Sequence, residues 1–191
     1  MWLNLVITVW RCCTNKTYNE SLKFKVWSLK FLNGSNFLPS AFHFKLSALN
    51  FKLTFDGSPW YGTAVMPMLE SIGPEVAIKQ LKGRSILRLA RHMLAWRTYV
   101  LYKLQGDDGF DIEMGSEADW PTDDAMNWSA VLEALNTNQT QLLEVLKTFP
   151  ETKLVERVPG RQYTFRFMLE GMVQHDVCHL GQIALLKNLV G

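Results

Sequence analysis

Apolar residues recur at intervals of three and four along three long stretches of this chain, and each such stripe predicts an amphipathic helix. The first stripe is Ile86, Leu89, Met93, Trp96, Val100 and Leu104, in a segment that Ser85 can cap and Gly106 can stop. The second is Trp128, Val131, Leu135, Leu142, Leu146 and Phe149, ended by Pro150, with Asp123 or Asp124 as the expected cap. The third runs through Met168, Met172, His175, His179, Gln182 and Leu186 in the longest helical pattern, Thr164 to Leu189. Upstream, residues 41–55 give a weaker helix closed by the turn Asp56-Gly57-Ser58-Pro59. Residues 63–72 give another, which Gly73 and Pro74 stop, with a short turn through Gln80. Residues 1–39 mix Asn, Lys, Phe and Trp without sustained periodicity. They are read as an irregular N-terminal extension, and 40–191 as the domain. The expectation is an all-α protein built as a helical bundle.

Composition changes this picture little. A chain of 191 residues, 48% hydrophobic, suits one domain with a sizeable core. Net charge is +2, unevenly spread: residues 1–54 hold seven Lys/Arg against the single acid Glu20, whereas 55–191 hold 13 Lys/Arg against 17 Asp/Glu. No basic cluster interleaved with aromatics appears in the helical part, so no nucleic-acid partner is expected. The segment Trp2–Trp10 is too short to span a bilayer, so no membrane role is expected either. Three cysteines, two of them the adjacent Cys12 and Cys13, cannot build a disulfide framework, and a cytoplasmic location follows as the expectation.

Chemistry concentrates on the histidines. His175 and His179 lie one helical turn apart on the inward stripe of the last helix, where an imidazole without a partner is costly. His92 sits at the edge of the first stripe and points toward the same core. Two imidazoles at i and i+4 and a third from a neighbouring helix suit one metal ion, with coordination positions left open for chemistry. Zinc is the default metal and nickel the runner-up, because imidazole serves both. Asp176 has three readings: a carboxylate behind a ligand histidine, a solvated carboxylate beside the site, or a general base if His-Asp-Val-Cys-His stands in for the HExxH of zinc peptidases. The upstream third histidine argues against the peptidase reading. Gln182 could orient His179 or a metal-bound water, or make a polar core contact, and Cys178 is read as packing in the helix interface ahead of a direct metal bond. Trp60, Trp96, Trp120 and Trp128 read as core, with Trp96 also a candidate pocket wall. Arg97 and Arg161 could hold an anionic substrate or form ordinary surface pairs. His43 is read as having no role in the site.

Phe55–Gly62, the helix with Arg91–Arg97, the loop with Asp119-Trp120-Pro121 and the final-helix run Gly171–Lys187 together resemble the DinB/YfiT-like family of metal-dependent proteins. The resemblance covers roughly residues 50 to 190. In the final helix the histidine spacing, Gly171, Gly181 and Gln182 occur together, while Cys178 stands where an aromatic is expected. It implies a four-helix bundle with a divalent ion on His92, His175 and His179. Enzymes of that family include transferases and isomerases that use low-molecular-weight thiols. The implied function is a metal-dependent transferase that activates a small thiol and delivers it to a small-molecule substrate, with a hydrolase as the close variant. The alternative is a non-catalytic metal-binding or stress-response module, and a homodimer suits either.

Overall fold

The computed structural model describes residues 40–122 and 126–191, with side chains from residue 48 onward. Among the described residues four long helices form the body: α1 (Ser40–Phe55), α4 (Ile86–Gln105), α5 (Trp128–Thr148) and α6 (Phe165–Val190), with two short ones, α2 (Val65–Glu70) and α3 (Pro74–Ala77), between α1 and α4. No strand appears among the described residues, only isolated bridges at Leu81–Arg84 and Arg157–Thr164. The fold is therefore all-α, a four-helix bundle. No helix among the described residues is long and apolar enough to cross a membrane.

Local chemistry sets the helix ends. The Ser85 side chain accepts from the Arg88 N–H (3.1 Å) at the start of α4. At the other end Gly106 takes φ +86°, a left-handed conformation that costs a glycine nothing. Thr164 caps α6 by accepting from the Phe167 N–H (3.3 Å). The cap of α5 differs from expectation. Asn127 accepts from the Ala130 N–H (3.0 Å), because the helix begins at Trp128 and the capping oxygen must lie one residue earlier. Asp123 and Asp124 lie outside the described residues, as does the His43 side chain. A 3₁₀ turn at Glu151–Val155 and a tight turn at Val158–Tyr163, with Gly160 at φ +72°, connect α5 to α6.

Helix α4 packs along both α5 and α6, and α1 closes the remaining side against the same two helices. The core divides into two apolar halves. One gathers Phe55, Leu69, Ile86, Leu89, Met93, Val131, Leu135 and Ile183. The other gathers Phe51, Tyr99, Leu142, Leu146, Leu169 and Met172. The division falls at one level on three helices, between Met93 and Tyr99 on α4, between Leu135 and Leu142 on α5, and between Met172 and Leu180 on α6. That level carries the buried polar residues Arg97, Gln139, His175, Asp176 and His179, with His92 beside it. Trp60 contradicts its core reading: it is 96% exposed in the turn after α1. The Pro59 turn carries it beyond the reach of the bundle.

Candidate metal centre

His92 comes from the first half of α4, His175 and His179 from the middle of α6, and all three are buried. Their Nε2 atoms face one another: His175 Nε2 lies 3.0 Å from that of His92 and 3.1 Å from that of His179. The three ligand atoms lie within 4.8 Å of one another, a set that could hold a metal ion. Two nitrogens on one tetrahedral ion at about 2.05 Å would be separated by roughly 3.3 Å, so a small outward movement of the rings would admit one.

The outer bonds of two rings decide where their protons are. Among the described residues His92 Nδ1 meets only acceptors, the Asp119 carbonyl oxygen (2.6 Å) and Oδ1 (3.0 Å), so it donates and leaves Nε2 with a lone pair. His179 Nδ1 donates to Gln182 Oε1 (3.0 Å), with the same consequence. Two lone pairs thus point at the third imidazole in a site where burial resists added protons. Burial, then the neighbouring His179, His92 and Arg97, hold His175 well below its ordinary pKa. Burial and then His92 push His179 down to about 3. Such convergent neutral imidazoles fit a cation, and the donor set is one that zinc and nickel accept.

The same shifts predict the pH behaviour of the metal-free protein. In the unfolded chain a histidine takes a proton near pH 6.5, whereas in the folded chain His179 resists it down to about 3. Stability is therefore present above the unfolded value and lost as pH falls from about 6.5 toward 3. Asp176 opposes this: burial outweighs the pull of Arg97 and pushes its carboxyl up to about 6, so its own contribution improves as pH falls below that value. With two depressed histidines against one raised carboxyl, the net loss between pH 7.5 and 5 is on the order of 2 kcal/mol. Urea titrations of chelator-treated protein check it. A midpoint that stays level or rises over that range contradicts the neutral, crowded imidazoles.

Asp119 is the residue that sequence reasoning missed. It lies in the loop between α4 and α5, and its carboxylate is itself held by the Trp96 Nε1–H (2.7 Å, to Oδ1) and the Gly115 N–H (2.7 Å, to Oδ2). Burial works against ionisation, but the hydrogen bonds from His92, Gly115 and Trp96 outweigh it and keep the carboxyl below its ordinary pKa. Gly115 reaches this position at φ +81°. Trp120, read from sequence as packing, lies flat on His92, with centroids 3.8 Å apart and planes 6° apart. The available signal was the string Asp119-Trp120-Pro121, since a tryptophan in an acidic loop needs an apolar partner.

The remaining candidates separate. Gln182 meets His179, and Trp96 both holds Asp119 and lines a cavity. Asp176 is corrected. Its Oδ2 accepts from Arg97 Nη1, no hydrogen bond joins it to a histidine among the described residues, and it does not line the cavity. The helix turns it about 100° away from His175, toward α4 and α5. Arg97 is likewise no surface charge, being wholly buried. Cys178 is half-buried and lies outside the three-histidine set. His175 forms part of the wall of a cavity of about 810 Å³ between α4, α6 and the loop after α4, with Trp96 and Met172 beside it.

Fold and site together define a helical-bundle protein with three convergent histidines, compatible with a divalent metal. The chain belongs to the DinB superfamily, whose family model matches residues 65–183. No curated protein and no solved structure matches it.

Proposed function

We propose that this protein is a metal-dependent enzyme that activates a small thiol at His92, His175 and His179 and transfers it to an electrophile, with hydrolysis as the close variant. The observation that carries the reading is the junction of the three-histidine set with a ligand-sized cavity through His175. A divalent ion held there, zinc before nickel, supplies Lewis acidity that lowers the pKa of a thiol or a water. The chain does the rest. Asp119 keeps the His92 ring in the tautomer that presents Nε2, Trp120 fixes its plane, and Gln182 does for His179 what Asp119 does for His92. Trp96 and Met172 cover the cavity side with apolar surface and exclude water from the wall beside His175.

Thiol-conjugation and esterase panels on metal-loaded protein test the reading. Turnover that disappears on chelation supports it. Stoichiometric metal with no turnover in either panel replaces it with the non-catalytic metal-binding module. Asp119→Ala is expected to weaken metal affinity about 10- to 100-fold, measured by competition with a chelating dye, because His92 then loses both its orientation and its tautomer. Unchanged affinity would remove Asp119 from the account.

A further inference from the structure

The far end of the cavity from His175 carries a polar cluster that metal chemistry does not use. Arg161 Nε donates to the Tyr99 hydroxyl oxygen (3.0 Å), and the Tyr99 and Tyr163 hydroxyls are 2.9 Å apart. Tyr99 is 1% exposed and Tyr163 is half-buried. Counting protons gives the direction of this chain. The Tyr99 oxygen already accepts from Arg161, and among the described residues its own proton has one acceptor, Tyr163. The Tyr163 proton is then left to point outward, and Tyr163 lines the cavity. A guanidinium at the head of the chain polarises both hydroxyls, so Tyr163 presents a strengthened donor. Burial holds the Tyr163 phenol above its ordinary pKa, which keeps that proton in place.

Arg161 also donates through Nη2 to Asp111 Oδ1, which shows that an oxyanion can sit against this guanidinium. The Asp111 side chain is 58% exposed on the loop after α4, so its hold is weak and a ligand can displace it. Apart from Glu113, the side chains that line the rest of the cavity are largely apolar, Val100, Ile112, Met114, Phe167, Met168 and Met172 among them. Tyr99 follows His92 by seven residues on α4, two helical turns, which is about 10 Å along the axis.

We propose that the cavity binds an elongated ligand with an apolar middle and a terminal carboxylate, the carboxylate being read by Arg161 and the Tyr163 hydroxyl while the other end reaches His175. This names the substrate class of the proposed site and rests on the metal reading only at the His175 end.

Calorimetric titration of the full chain with octanoate, 1-octanol and octylamine tests it without a thiol. Octanoate is expected to bind at least about tenfold more tightly than 1-octanol, the scale of a charge-assisted hydrogen bond. Arg161→Gln and Tyr163→Phe should each bring the two ligands within about threefold, and Arg161→Lys should fall between. Gly171 lines the cavity, and a Cβ built there meets nothing within 4 Å, so Gly171→Leu fills open space and should weaken both ligands. The octanoate preference should survive His175→Ala, which separates this proposal from the metal reading, itself read by elemental analysis. Equal binding of octanoate and 1-octanol, a preference that persists in Arg161→Gln, or tighter octylamine binding at Asp111 and Glu113 would overturn it.

Discussion

Replacing His175 by alanine is expected to strip the protein of its metal. The wild type should purify with about one divalent ion per chain, and the variant, dialysed in parallel, with less than a tenth of that. His175 Nε2 is the atom from which both other Nε2 distances, 3.0 and 3.1 Å, are measured, so its loss leaves two imidazoles that no longer enclose a point. Loss of a residue behind a ligand already costs about 10- to 100-fold in affinity, and loss of the ligand itself should cost more. Stability gives a second readout. Zinc at 100 times its dissociation constant should raise wild-type unfolding free energy by about 2.7 kcal/mol and leave the variant unmoved. Without metal the variant should be no less stable than the wild type. It removes an imidazole that burial and its neighbours already hold uncharged, so no charge is left unpaired in the wall of the cavity. A wild type without metal, or a variant that retains it, would end the three-histidine reading.

What the sequence made legible was whatever is local in the chain. The stripes of α4, α5 and α6 repeat over five turns or more, and Ser85, Gly106 and Thr164 act on groups within four residues of themselves, so the pattern sufficed. Helix α1 was faint because its apolar residues do not keep to one stripe. Phe51 and Phe55 are buried while Leu49 is 49% exposed. The histidine pair was legible by spacing, and His92 by its place at the edge of a stripe. Asp119 was not, because it reaches His92 across 27 positions from a loop whose other described acids, Asp107, Asp108, Asp111, Glu113 and Glu117, are exposed. Arg97 was misplaced for a related reason. It follows Trp96 on the flank of its stripe, and its partners Gln139 and Asp176 stand 42 and 79 positions away. Only the packing of α4 against α5 and α6 shows that this flank is interior.

That buried arginine leads to the second large effect. Arg97 is wholly enclosed, its Nη1 on Asp176 and its Nη2 on Gln139 Oε1, with its guanidinium carbon 4.2 Å from the Phe55 ring centroid. Burial lowers its pKa, and the neighbouring Asp176 works to restore it, so each charge depends on the other. Arg97→Ala or Asp176→Ala leaves one of them unpaired in the interior and should reduce unfolding free energy by about 3–5 kcal/mol. Replacing both, as Arg97→Met with Asp176→Leu, should recover most of that loss, because an apolar pair needs no compensation. Among the described residues Arg97 Nε and Asp176 Oδ1 have no hydrogen-bond partner even in the intact pair, which makes recovery easier. Function should not recover with stability. Arg97 adjoins Trp96, and Asp176 adjoins His175, so the ion pair fixes the register of α4 against α6 at the level where the imidazoles meet. The double variant should fold, yet bind metal at least about tenfold more weakly, the effect of a lost orienting contact. Denaturant titration and chelator competition on the four proteins of this cycle separate the two roles. A single replacement costing under about 1 kcal/mol would mean that water reaches the pair. A stable double variant with wild-type metal affinity would leave the pair a structural feature with no hold on the site.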